Sequence, residues 1–200
     1  YKIIIAPPEV PKIESKYLEK SKKKLNNKEA SRKVFFFPTF PRPFKNIEVI
    51  CEAMKLVSEK NNKGVSVIIT IDGSENKYSK AIVEKYQYID SIKIIGLITR
   101  EEVYDYYSEC DGLSFPSKLE TWGLPLSEFK QFNKPMFVSN LPYAKETLGN
   151  YDFVSFFNPD DAVQLSELII NASENKLVFD KTDAIDYEQP FVNGWDELFE

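Results

Sequence analysis

Glu120 and Glu128 are separated by seven residues inside the stretch from Pro116 to Glu128, which reads Pro-Ser-Lys-Leu-Glu-Thr-Trp-Gly-Leu-Pro-Leu-Ser-Glu. An apolar run, Gly112-Leu113-Ser114-Phe115, enters it as a buried strand would, and Pro125 suits the first turn of a helix leaving it. In a chain that alternates strand and helix, such a loop sits at the carboxyl end of a strand, where open sheets bind ligands. Glu120 projects from the loop, and Glu128, one turn into the helix, can turn its carboxylate back toward the same crevice. Gly123 lets the backbone pass close to a ligand. With Pro125 as the first helical residue, Leu124 takes the cap position and offers no side-chain oxygen to the free amides. An anion would fill that role. The stretch therefore reads as a phosphate seat flanked by two carboxylates, one available to a sugar's hydroxyls and one to a ribose. A glutamate in a first helical turn and a glycine in a loop each have ordinary structural explanations. The combination at this spacing is the specific signal.

The elements that must hold this loop need a real core. Two hundred residues with 42% hydrophobic and 14% aromatic content place the chain among globular proteins, large enough for one domain with a core or two small ones. No apolar stretch reaches the length of a membrane span and nothing near residue 1 resembles a signal peptide, so a cytoplasmic setting is expected, with peripheral contact to the inner face of a membrane left open. Cys51 and Cys110 lie in helical patterns without metal-ligand spacing. The chain has no histidine, which removes Ser-His-Asp, Cys-His and His-ligated metal chemistry together. Net charge is -5, yet residues 12–33 hold nine Lys/Arg against three Glu. That segment reads as a basic, part-helical, solvated connector.

Strand-like runs are expected at 34–38, 65–71, 92–96, 112–115, 135–139 and 153–157. Helices are expected from Asn46 as cap, over 76–88, over 100–110 capped by Thr99, after Gly123, over 143–148, and over 160–172 capped by Asn158 or Asp160. The alternation argues for an α/β fold with a Rossmann-like, doubly wound parallel sheet of about six strands. Arg42 and Lys45 fall in the loop after the first of these strands, on the same carboxyl edge as Glu120. The acidic pairs Asp160-Asp161 and Asp183/Asp186 lack cooperating ligands and read as solvated, so no metal is expected.

The paired glutamates with Gly123-Leu124-Pro125 between them and Pro116-Ser117 ahead, followed by Lys134-Pro135-Met136-Phe137-Val138-Ser139 and then Glu146, resemble the signature of retaining GT-B glycosyltransferases. The match is to family 4, the group 1 glycosyl transferases, and spans roughly residues 34–170. The resemblance implies the donor-binding, C-terminal half of a GT-B enzyme: residues 1–33 as interdomain strand and basic connector, 34–174 as the nucleotide-sugar domain, and 175–200 as tail and start of the crossing helix. It implies a nucleoside diphosphate sugar as donor and no further cofactor, with Glu120 and Lys45 as catalytic residues. Arg42, Lys45, Gly73, Leu97, Ile98, Glu120, Trp122, Gly123, Leu124 and Glu128 would bind the donor. Lys45 matches the family's diphosphate lysine, whereas the family's arginine stands five residues earlier, where this chain has Phe40; Arg42 is three before. The acceptor, a saccharide or glycoconjugate, would be bound by a missing N-terminal domain, and no nucleic acid is expected. A phosphorylase on the same scaffold and a non-catalytic sugar-nucleotide module are the alternatives. A dinucleotide oxidoreductase is not, because the seven glycines are too scattered for Gly-x-Gly-x-x-Gly.

Overall fold

The computed structural model describes residues 7–26, 32–60, 64–183, 192 and 195. Residues 1–6 of the segment expected to hold the interdomain strand, and most of the last residues expected to start the crossing helix, lie outside the described residues. Six strands, β1 (Lys33–Phe37), β2 (Val65–Ile69), β3 (Ile92–Ile94), β4 (Gly112–Phe115), β5 (Met136–Ser139) and β6 (Val154–Phe157), form one sheet. Its order is β3-β2-β1-β4-β5-β6 and every pairing is parallel. Among the described residues seven α-helices of two turns or so and longer accompany it: α1 (Ser15–Asn26), α2 (Ile47–Glu59), α3 (Lys77–Tyr86), α4 (Arg100–Glu109), α5 (Leu124–Lys130), α6 (Pro142–Leu148) and α7 (Ala162–Ser173).

The sheet is covered on both faces, which is why its strands read as apolar runs rather than alternating ones. Phe35, Phe36 and Phe37 are all buried. Phe35 packs on Phe137, Phe37 on Phe115, and Phe36 on Tyr106 and Tyr107 of α4. Each such ring contributes roughly 1.5–3 kcal/mol through burial. Opposite Phe35 in the register lies Gly112. A Cβ on Gly112 would come within 2.7 Å of the Pro135 carbonyl and 2.9 Å of the Phe35 ring, so only glycine lets β4 start here.

Three caps differ from the sequence reading. Asn46 precedes α2 in a left-handed conformation but makes no side-chain cap bond. The first residue of α5 is Leu124, so Gly123 is the cap and Pro125 the second helical residue. Asp161, not Asn158 or Asp160, caps α7 by accepting from the Gln164 N–H. Thr99 and Asn76 behave as their side chains allow, each closing a capping box.

Residues 13–26 are not a solvated linker. Ile13, Tyr17 and Ser21 are buried, and α1 lies along α4 with Lys20 paired to Asp105 and Glu109 at 2.7 Å each. The lysines thus neutralise an acidic helix face. After β6 the chain runs back along the sheet edge: the Asp180 N–H donates to Val154 O at 2.8 Å and Ser155 Oγ donates to Val178 O at 2.9 Å. That covers a strand edge that would otherwise be exposed.

Candidate active site

The strand order reverses between β1 and β4, and the loops that follow these two strands flank the crevice at their carboxyl ends. A short 3-10 turn, Pro43–Lys45, follows β1. It delivers Lys45, whose Nζ donates to Glu120 Oε1 at 2.6 Å, both side chains being largely buried. The Phe44 and Phe115 rings lie 5.6 and 6.0 Å from the ammonium. Three further bonds fix the loops: the Lys118 N–H donates to Phe44 O at 2.7 Å, and the buried Asn46 amide donates to Pro116 O at 3.1 Å and Pro159 O at 2.7 Å. Asn46 therefore ties the loops after β1, β4 and β6 together; these donated bonds orient its amide, and from a left-handed backbone its oxygen does not reach the amides of α2. Tyr143 Oη donates to Ser117 O at 2.7 Å. Burial, with the Glu120 charge second, pushes the Tyr143 phenol pKa up.

Glu128 faces the other way. Its side chain is 6% exposed and its carboxylate accepts from Arg100 at 2.5 Å. Arg100 opens α4, and its Nε donates to Tyr104 Oη at 2.7 Å. Burial raises the Glu128 pKa above the ordinary carboxylate value, and the Arg100 charge opposes that rise. The two glutamates thus serve opposite walls, Glu120 joined to the β1 loop and Glu128 to the start of α4.

The remaining expected residues scatter along the same edge. Arg42 is exposed, with its guanidinium 5.0 Å from the Phe40 ring. Gly73, after β2, has φ +93, and its N–H donates to Glu75 Oε2. Leu97 is exposed and Ile98 half-buried against the core, two residues before Arg100. Gly123, at φ +89, is strained for any other residue, and its neighbour Leu124 is exposed. Pro125 has no N–H and the Leu126 N–H bonds the Gly123 carbonyl, so an anion here meets the backbone at Gly123–Leu124 rather than a full helical turn. Trp122 does not join the Lys45–Glu120 pair. Its Nε1 donates to Ser127 Oγ and it lines a separate cleft of about 530 Å³ with Val10, Lys12, Gln131 and Thr147.

Sequence reasoning missed Arg100, Asn46 and Tyr143. Only Asn46 carried a signal, an amide beside the lysine, and a capping role accounts for that signal equally well. Among the described residues no cluster of three or more His, Cys, Asp or Glu could hold a metal, and no helix is long and apolar enough to cross a membrane.

The fold is shared with solved structures. TarM superposes with a TM-score of 0.60 at 18% identity, over 74% of this chain and 30% of that one. Sucrose-phosphate synthase from Thermosynechococcus elongatus gives 0.60 at 18% identity, over 86% of this chain and 42% of its own. Anabaena Alr3699/HepE, solved in complex with UDP-glucose, gives 0.59 at 18% identity, over 82% of this chain and 44% of its own. The chain thus spans less than half of each. No curated protein sequence matches it. A family model does: the glycosyl transferases group 1 model matches residues 18–188, which takes in all six strands and both walls of the crevice, and the chain belongs to that family.

Proposed function

We infer that this chain binds a nucleoside diphosphate sugar at the crevice between β1 and β4 and supports retaining transfer of its hexosyl group. The observation that carries this reading is the Lys45–Glu120 contact, which sets a cation and a carboxylate side by side at the switch point of the sheet. Lys45, with Arg42 at the rim, opposes the charge that grows on the departing diphosphate, so no bound metal is required. Glu120 orients the sugar hydroxyls, Glu128 the ribose hydroxyls, and Leu97 and Ile98 lie against the base. One open sheet edge cannot both hold an acceptor and exclude water. The acceptor therefore belongs to a second domain, consistent with the fraction of its structural neighbours that this chain spans.

A thermal-shift panel of UDP-, GDP- and ADP-glucose on this chain tests the reading. At one hundred times Kd, a ligand stabilises by about 2.7 kcal/mol, or roughly 5–11 °C for a domain of this size. No shift with any of the three at millimolar concentration would sink it.

Two variants separate the carboxylates. Glu128→Ala is expected to weaken nucleoside diphosphate binding about ten- to a hundredfold, since one charge-assisted hydrogen bond to a ribose hydroxyl is worth roughly 1.5–3 kcal/mol. Calorimetry showing unchanged affinity would remove Glu128 from the site. Glu120→Ala has the opposite sign for the diphosphate. It frees Lys45 and removes a negative charge beside the phosphates, so nucleoside diphosphate affinity holds or rises, while the extra affinity contributed by the sugar falls about tenfold. A matched loss for both ligands would contradict the assignment.

A further inference from the structure

No sequence pattern marks Arg100, yet it makes the one ion pair of Glu128 among the described residues. The guanidinium is held from two sides. One of its terminal nitrogens bonds Glu128 at 2.5 Å, its Nε bonds Tyr104 Oη at 2.7 Å, and its carbon lies 5.3 Å from the Tyr104 ring centre. Tyr104 is braced in turn by Tyr17 of α1, edge to face at 5.6 Å, and the next residue, Asp105, is paired to Lys20 of the same helix. A chain of contacts thus runs from α1 through α4 to a buried carboxylate on α5. Glu128 is 6% exposed while Arg100 is 54% exposed. The pair is asymmetric: the carboxylate depends on the arginine far more than the arginine depends on it.

We propose that Arg100 is a positioning residue for the donor site, which aims the Glu128 carboxylate and keeps it an acceptor, with Tyr104 and α1 fixing the guanidinium. The proposal rests on the reading of Glu128 as the ribose-facing carboxylate. A ribose diol donates two hydroxyl protons, and an ionised carboxylate accepts one on each oxygen with full charge, whereas protonation turns one of those oxygens into a donor. Buried without a cation, that carboxylate takes up a proton instead. The groups that act on Glu128 all come from α4: the Arg100 charge, and the fully buried hydroxyl of Tyr107, which is near enough to lower the Glu128 pKa though outside strict hydrogen-bond geometry. Tyr104 feels the Glu128 charge through the same cluster. No group of α6, the helix packed on the other side of α5, acts on it. Tyr107 is a phenol that burial holds protonated, so it can donate to Glu128 but cannot replace a cation.

The direction follows. Burial already raises the Glu128 pKa, and Arg100 restrains the rise. Removing Arg100 leaves the burial and removes the restraint, so the acid form persists to higher pH. Ribose binding through the ionised form is then lost as pH falls through the new, higher midpoint.

The test has two arms on this chain. In the first, without ligand, the Glu128 side-chain carboxyl is followed by carbon-13 NMR against pH in the parent protein, Arg100→Met, Arg100→Lys and Tyr104→Phe. Arg100→Met is expected to raise the proton affinity of Glu128 about tenfold or more, the usual effect of an opposite charge at this range. Arg100→Lys returns most of it, and Tyr104→Phe gives a smaller rise because the cation remains but its tether is gone. In the second arm, UDP, GDP, ADP and inorganic pyrophosphate are titrated at pH 6 and pH 8. Arg100→Met is expected to weaken the bound nucleotide more at the lower pH than at the higher, in step with the Glu128 titration seen in the first arm, and to leave pyrophosphate unchanged. An unaltered Glu128 titration in Arg100→Met overturns the proposal. So does an equal loss of pyrophosphate and nucleotide, which would mark a folding defect or a direct phosphate contact. If the titration moves as expected but the parent protein binds no nucleotide, the donor-site reading fails while the control of Glu128 by Arg100 stands. Arg100 is half-exposed at the start of a capped helix, so its variants are expected to fold, and Tyr104→Phe leaves both charges in place as a second check.

Discussion

Lys45→Ala is expected to reduce donor turnover about a hundred- to a thousandfold, and to weaken a nucleoside diphosphate far more than the corresponding nucleoside. The magnitude is that of removing one fixed group aimed at charge developing in a transition state. Lys45 qualifies because its side chain is only 20% exposed and its ammonium lies near two phenylalanine rings, where a charge is less screened than in water. A nucleoside presents no charge to it. Turnover is read in a protein that joins this chain to its acceptor-binding domain, as nucleoside diphosphate released from the donor that the thermal-shift panel selects, and affinity by calorimetry on this chain with both ligands. Equal losses for nucleoside and diphosphate would mean that Lys45 acts by holding Glu120 and the β4 loop in place. Lys45→Arg controls for that, since it keeps the charge and the bond to Glu120. Arg42→Ala follows the same pattern with a smaller loss, because its guanidinium is exposed and screened.

Much of the fold was legible because both signals that specify it are local. Buried parallel strands show as continuous runs such as Val34-Phe35-Phe36-Phe37, and every run read as a strand between 34 and 157 overlaps one. Helix starts were legible where the cap is a side-chain bond to the third amide, as at Asn76 and Thr99. They failed where distant parts of the chain claim the residue. Asn46 has a capping side chain, but bonds to the loops after β4 and β6 orient its amide, and from a left-handed backbone its oxygen does not reach the amides of α2. The basic stretch failed for a related reason. Lysine periodicity in α1 looks like solvation until the acidic face of α4, some 85 residues further on, is set opposite it.

The site divides along the same line. Lys45, Glu120 and Gly123 carry their meaning in a loop and its neighbours, and the structure brings the first two into contact. Glu128 was placed in sequence, but its partner was not. Arg100 opens a helix, where a cation opposes the dipole, and nothing nearby in the chain explains it. Its reason lies 28 residues on, in a carboxylate whose burial no periodicity announces. Trp122 shows the converse. It sits between two site residues in the sequence, yet its indole turns to a different cleft, because adjacent loop residues need not share a direction.

Lys134→Met is expected to destabilise the domain by about 3 kcal/mol, counting three buried acceptors at the low end of roughly 1–3 kcal/mol each. Lys134 is 1% exposed, and its Nζ donates to Tyr107 O at 2.9 Å, Ser108 O at 2.7 Å and Cys110 O at 2.8 Å. These carbonyls end α4, where no further turn supplies partners, and the ammonium sits at the negative end of the helix dipole. Methionine matches the stem but supplies no donor, so the carbonyls stay buried and unpaired. At about 2–4 °C per kcal/mol for a domain of this size, the melting temperature should fall by roughly 6–12 °C. A pH dependence identifies the group. Burial lowers the Lys134 pKa from 10.5 to about 8, so between those values the unfolded chain binds more protons than the folded one. Stability contributed by this group therefore rises from pH 8 toward 10.5, and that slope should vanish in Lys134→Met. Urea unfolding of both proteins from about pH 7 to 10.5 reads both effects. A loss under about 1 kcal/mol, or an identical slope in the variant, would show that the end of α4 is held by other bonds. The helix concerned is the one that presents Arg100 and Tyr107 to Glu128, so loosening its last turn should also weaken nucleotide binding under conditions where the domain remains folded.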